Sequence, residues 1–291
     1  MKIETTIVDA YLRAEDVTAF SNLWLYTDRT DHGIENVFHL PPKAADKHTV
    51  ISQIRAEIIS HASSFVPCNV PVWDALFENW RRFLDDTVLD LIVGYPDTGD
   101  AIVKPAPDGT NHMIFDLLCW EKYLDLMPLS AIAQNLLTHE LFHVMVGKAF
   151  PDIEAAETCG TYMDALDAIT FNEGFAHLVS YNRQEIDTVL WDAEPLSNVY
   201  QRSVSMMRKA LQETSPEQQK QFLYKASCGN YYDKYAGMCG MIYLGQQWQA
   251  GGLVRLKELF RHGYHGFAAQ SAGSPAQMRN GVQNLRMATL D

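Results

Sequence analysis

The chain lacks the cysteine spacing of a structural metal site. Its five cysteines, Cys68, Cys119, Cys159, Cys228 and Cys239, form no CxxC pair, and an odd count does not suit a disulfide framework. We expect reduced, mostly buried thiols. An apolar run as long as a membrane span is also missing, and the N-terminal Met1-Lys2-Ile3-Glu4-Thr5-Thr6-Ile7-Val8-Asp9 has acids where a signal peptide needs an apolar core. These absences predict a cytoplasmic protein. Basic charge is short as well: 23 Lys and Arg against 36 Asp and Glu give a net charge of −13. That balance disfavours nucleic acid, whose phosphates need a basic surface, and it disfavours anionic membranes. Repeats and low-complexity tracts do not occur. What remains is an ordinary globular composition, 291 residues with 47% hydrophobic content, enough to bury a sizeable core.

Against that background one pentapeptide stands out, His139-Glu140-Leu141-Phe142-His143. On an α-helix four residues turn through about 400°, so the two imidazoles emerge one turn apart on one face and can grip one ion. Glu140 sits about 100° round, placed to reach a water on a metal rather than the metal itself. Three fixed residues in five arise by chance in about one chain in a hundred of this length, so the flanks must decide. Leu136, Leu137, Leu141, Phe142, Val144 and Met145 are all apolar, which predicts a largely buried helix. A buried helix carries His-Glu-His at a cost of several kcal/mol unless something pairs the charges.

Catalytic zinc usually takes three side chains and leaves a position for water. The candidate third ligand is Glu173, thirty residues after His143, within a run from Asp164 to Val179 whose apolar residues recur every three or four positions. Gly174 beside it is a poor helix residue, and its expected use is close approach of the two ligand helices.

His139-Glu140-x-x-His143 followed by Asn172-Glu173-Gly174-x-Ala176 resembles the gluzincin metallopeptidases, the group that includes thermolysin-like enzymes and a large set of zinc aminopeptidases. The resemblance covers about residues 130 to 180 and, more loosely, 231 to 249. It implies His139, His143 and Glu173 as ligands of Zn2+ and Glu140 as general base. Relatives place an acid four residues past the third ligand to brace a ligand histidine, whereas this chain has His177. The bracing group is therefore open: Asp164, Asp167 or a backbone carbonyl are candidates, and His177 is an alternative ligand in place of Glu173.

Relatives also supply an oxyanion donor from a later helix. The stretch Tyr231-Tyr232-Asp233-Lys234-Tyr235-Ala236-Gly237 resembles the corresponding aminopeptidase segment, with Tyr235 where a glycine is usual. Tyr232 is the first choice of donor and Tyr235 the second, although aromatics at the start of an apolar helix also serve as core. Gly237, Gly240 and Gly245 predict a helix that packs tightly on its neighbours. The motif that anchors a free amino terminus in the aminopeptidases is not found, so exopeptidase activity is not expected.

Residues 9 to 26, 45 to 65 and 73 to 84 read as helices, and 87 to 93 and 113 to 118 as a hairpin-like pair of strands. By the resemblance, 113 to 118 is the strand that would pair with an extended substrate, although both strands equally suit a buried sheet. After Pro128 the pattern is helical, with ends near Gly147 and Tyr181, a glycine-flanked helix from Leu253 and a last one beginning at Ser274-Pro275. The expected organisation is an N-terminal helical segment, 1–86, and a zincin-like catalytic region, 87–291, with a sheet at 87–118 and a helical lobe at 128–291, together one compact unit. The expected fold class is α+β, a small mixed sheet over a mainly helical lobe with the zinc cleft between them. The expected function is zinc-dependent hydrolysis of a peptide or protein substrate. A catalytically silent peptide- or protein-binding relative and a zinc hydrolase of a non-peptide substrate are the alternatives. His262-Gly263-Tyr264-His265-Gly266 reads as a solvated turn rather than a metal loop.

Overall fold

The stretch Val88-Leu89-Asp90-Leu91-Ile92, apolar but for Asp90 and without glycine or proline to interrupt it, forms an inner strand of the sheet. The structure, a computed structural model, describes residues 1–26, 30–31, 34–35, 38–42, 45–95 and 100–273. Strand β1 (Lys2–Glu4) leads into helix α1 (Thr6–Leu12), whose buried face is Ile7, Val8, Ala10 and Tyr11. The helix expected over 9–26 stops there. Ala14 adopts φ 57°, and Asp16 accepts the Thr18 backbone N–H, so the chain continues as two short 3-10 turns. Next come β2 (Thr30–Asp31) and β3 (Ile34–Glu35), an antiparallel ribbon, and α2 (Ala45–Ser63). The helix expected at 73–84 is split into α3 (Val70–Leu76) and α4 (Trp80–Phe83), because Asn79 takes the left-handed conformation at φ 57°.

Three further strands follow, β4 (Thr87–Ile92), β5 (Ala101–Pro105) and β6 (Asn111–Asp116). The sheet order is β1-β4-β6-β5. β1 and β6 run parallel to β4, and β5 runs antiparallel to β6, which makes a four-stranded mixed sheet. β4 is buried along its whole length, as a central parallel strand should be. The hairpin-like pairing of 87–93 with 113–118 is therefore corrected: the two strands are parallel, in register Leu89↔Met113 and Leu91↔Phe115, and β5 lies between them in sequence. The expected role of 113–118 in pairing with substrate is corrected too. Both edges of β6 are taken, by β4 and β5, and residues 117–118 belong to the 3-10 stretch Leu117–Tyr123. β1 brings residues 2–4 into the sheet, so the stretch before residue 87 is not wholly helical.

The helices of the second half are α5 (Leu129–Ala149), α6 (Ile153–Cys159), α7 (Tyr162–Ser180), α8 (Leu196–Ala210), α9 (Pro216–Ser227), α10 (Tyr235–His262) and α11 (Phe267–Ser271). α10 breaks at Gly252, φ 56°, so its second part begins at Leu253 as expected. The expected start at Ser274-Pro275 lies outside the described residues. The protein is thus α+β, mostly helical with a small mixed sheet. Among the described residues no helix is long and apolar enough to cross a membrane.

By its contacts the chain divides into two compact units. The first holds residues 1–145 and 179–185, the second 146–178 and 186–291. In the first, Trp73, Phe77, Trp80 and Phe142 form an aromatic cluster with ring centroids 5.2 to 5.7 Å apart. In the second, Phe150, Phe171, Phe175, Phe260 and Phe267 form another. α10 packs there on α8, α9 and α11.

Candidate metal centre

The sequence-predicted site residues fall in both units: the ligands His139 and His143 and the general base Glu140 in the first, the ligand Glu173 and its alternative His177 in the second. In the first unit, burial nearly all round the helix fixes α5. Ile132, Ala133, Leu137, Leu141, Phe142, Val144 and Met145 are all buried. Its rotation is set by two contacts of different kind. Phe142 meets Trp73 at 5.6 Å and Phe77 at 5.2 Å, both edge-on, and the Cys68 backbone N–H donates to the Thr138 hydroxyl at 3.1 Å. With those sides committed, His139 and His143 come together.

Their Nε2 atoms lie 3.0 Å apart and the rings meet at 84° with centroids at 4.7 Å. Zinc–imidazole bonds of about 2.0–2.1 Å at a tetrahedral angle put two ligand nitrogens about 3.3 Å apart, so the observed spacing suits one ion between them. Glu140 is next to them and is 6% exposed, against 9% for His139. Within the first unit, His139, Glu140 and His143 each offer a ligand atom, and these atoms lie within 4.8 Å of one another. Neutral imidazole nitrogens with buried carboxylate oxygen are the donor set that zinc takes.

One neighbour of Glu140 has no motif to announce it. Tyr123 ends the 3-10 stretch after β6, and its hydroxyl donates to the Asp100 carboxylate. Burial above all, then the charges of Asp100 and Glu140, hold this phenol protonated well above its ordinary range. Asp100 also pairs with Lys122 at 3.1 Å.

In the second unit, α7 carries Glu173 and, one turn on, His177, with Glu173 Oε2 3.2 Å from His177 Nε2. Asn172 is held from α6, its amide donating to Glu157 at 2.9 Å. The expected use of Gly174 is corrected. A Cβ on Gly174 would stand 2.8 Å from the Gly240 Cα, so the close approach it permits is between α7 and α10. Gly240 is the other half of that crossing, where a Cβ would stand 2.4 Å from the Thr170 carbonyl oxygen. Gly237 and Gly245 serve the same end, against Glu173 with His177 and against Trp191, as their spacing predicted.

The carboxylates suggested as braces for the histidines have other work. Asp164 accepts the Thr161 backbone N–H at 3.1 Å and its hydroxyl at 2.6 Å, closing the first turn of α7. Asp167 accepts the Gly266 and Ala268 N–H groups at 2.7 and 2.9 Å and holds the start of α11.

Comparison with protein-family models, curated proteins and solved structures finds no match for this chain. Its chemistry is therefore read from its own residues. Of the two predicted tyrosines, Tyr235 is buried in a cluster with Leu166, Ile169, Met207 and Ala236, and its hydroxyl donates to the Phe222 carbonyl at 3.1 Å. Burial pushes its phenol far above the usual range. Tyr232 is half-buried in the short turn Tyr231–Asp233 and packs edge-on against Tyr231 at 5.1 Å. A phenol outside the predicted pair packs on His177: Tyr231, with rings 5.0 Å apart at 78°. Sequence pattern could not single it out, because three tyrosines within five residues look alike until the turn fixes where each points.

Proposed function

We propose that the protein is a zinc-dependent metallopeptidase of gluzincin type with a zincin-like fold, in which His139, His143 and Glu173 hold the ion. The observation that carries the reading is the facing pair of Nε2 atoms on His139 and His143, 3.0 Å apart, with Glu140 beside them in a buried setting. Bound there, zinc would polarise a peptide carbonyl and lower the pKa of a water to about 7. Glu140 takes a proton from water and later delivers it to the leaving amine, the exchange for which a carboxylate one residue after the first ligand is placed. Tyr232 donates a hydrogen bond to the developing oxyanion, since the Tyr235 hydroxyl already serves the Phe222 carbonyl.

The substrate is a peptide or protein segment in extended form. We assign it to the outer edge of β5: among the described residues β5 pairs with β6 alone, and Ala101 to Lys104 are partly exposed. The cytoplasm is the compartment this reading assumes.

The test compares wild type with Glu140→Gln and Glu173→Ala, measuring zinc by elemental analysis and cleavage on a peptide library. Glu140→Gln should retain zinc and lose at least 100-fold in cleavage rate, within the range that a general base contributes. Glu173→Ala should lose zinc. Equal background cleavage by wild type and Glu140→Gln would instead favour a silent binding protein or a hydrolase of another bond. Wild type without stoichiometric zinc would end the reading.

A further inference from the structure

The resemblance leads one to expect an acid four residues past the third ligand, and the chain places His177 there. A second carboxylate one turn from Glu173 would repel it. An imidazole does the opposite. His177 is 4% exposed, and its Nε2 lies 3.2 Å from Glu173 Oε2. Two other elements shape the space around it. A Cβ on Gly237 of α10 would stand 3.1 Å from His177 Cδ2, 3.4 Å from its Nε2 and 3.3 Å from Glu173 Cβ, so the pair lies flat on α10 only because residue 237 has no side chain. From the outside the Tyr231 ring covers the imidazole edge-on at 5.0 Å while its hydroxyl reaches Met241 Sδ at 3.9 Å. Tyr231 itself is 39% exposed.

A carboxylate that binds zinc through one oxygen leaves the other needing a donor, and groups that hold ligands in this way typically set metal affinity by 10- to 100-fold. We propose that His177 is a positioning residue for Glu173. The 3.2 Å contact is not itself a hydrogen bond, since the buried Nε2 lacks hydrogen-bond geometry to Oε2 here; with the metal bound, the Nε2–H would donate to Oε2 and leave Oε1 for the ion, while Gly237 and Tyr231 hold the imidazole in place. Relatives brace a ligand histidine, whereas this chain braces the ligand carboxylate. This inference rests on the zinc reading above.

Zinc affinity, measured by competition with a chromophoric chelator, tests it without reference to turnover. His177→Ala should bind zinc 10- to 100-fold more weakly than wild type. His177→Gln keeps an N–H at similar reach but has no imidazole, and it should return to within about threefold of wild type. If His177→Ala does not fold, as judged by circular dichroism, His177→Met supplies a side chain of similar reach without a donor and should show the same weakening. Wild-type affinity in His177→Ala or His177→Met would overturn the proposal, and so would a His177→Gln affinity as poor as that of His177→Ala, the result expected of a ligand. Glu173→Ala separates this from the reading beneath it. Unchanged affinity there removes Glu173 as a ligand whatever His177 does, and the proposal with it. Loss of zinc in Glu173→Ala together with unchanged affinity in His177→Ala removes the proposal alone.

Discussion

The two segments that carry the candidate ligands are built on opposite plans. Around His139 and His143, α5 is held by large side chains: Phe142 against Trp73 and Phe77, with Leu137 and Leu141 fully buried beside it. Around Glu173 and His177, α7 is held by the absence of side chains, with Gly174 against Gly240 and the Glu173–His177 pair against Gly237. The first plan fills space, so its energy scales with apolar area and its weak point is a cavity. The second removes space, so its weak point is a single added methyl group. Local geometry follows from this difference. The histidine pair is positioned by packing on the far side of its own helix, whereas Glu173 and His177 are positioned by the backbone of another helix.

The largest effect should come from emptying the aromatic side of α5. Phe142→Ala removes a fully buried ring from its contacts with Trp73 and Phe77 and should cost about 3–5 kcal/mol in urea denaturation. On the proposed zinc reading it should also weaken metal binding, because one of the two contacts that set the rotation of α5 is then lost. A loss below about 1 kcal/mol would show that α5 does not depend on this packing. On the other plan, Gly240→Ala should cost about 1–3 kcal/mol, although alanine is the better helix former by about 1 kcal/mol. The added Cβ would stand 2.4 Å from a backbone oxygen, Thr170 O, which cannot rotate away. A neutral or stabilising Gly240→Ala would break the contrast.

The same contrast explains what the sequence could reveal. The HExxH pair is a statement about residues four apart on one helix, and helical geometry delivers it directly. The helix that carries Glu173 was legible through its period, and Gly174 signalled a close approach, but the partner of Gly174 was not legible, since a glycine signals closeness without naming the neighbour. β4 and β6 were legible as apolar runs. β5 was hidden among glycine, proline and aspartate, and with it went the strand order. Tyr231 and Tyr123 lie in short turns with no period, so their contacts with His177 and with Asp100 depend on dihedral angles that composition does not encode. The breaks at Ala14 and Asn79 depend on left-handed single residues inside otherwise helical texture.

Each segment also leans on one buried aspartate that ties backbone N–H groups, and in this the two plans converge. Asp116 accepts from Tyr95 and Leu118 at 2.6 and 2.9 Å and starts the stretch that leads toward α5. Asp167, on α7 itself, accepts from Gly266 and Ala268. In both, burial raises the carboxyl pKa and the backbone hydrogen bonds pull it back only in part. For Asp116 the result is pushed up to about 7. A carboxyl whose folded pKa exceeds its unfolded value of about 3.9 favours the protonated fold. Its contribution is full below that unfolded value and is lost as pH rises through about 7. Asp116→Asn does not titrate, and at about pH 4, where the wild-type carboxyl contributes in full, it should cost about 1–3 kcal/mol because its amide NH2 must face a backbone donor. The stability difference between wild type and Asp116→Asn should therefore shrink as pH rises from about 4 to 7 and stay level above, with urea titrations at about five pH values as the measurement. Asp167→Asn should give a difference of the same sign. A gap that is constant, or that widens with pH, would mean that the N–H groups of Tyr95 and Leu118 outweigh burial and that Asp116 holds its turn as a carboxylate.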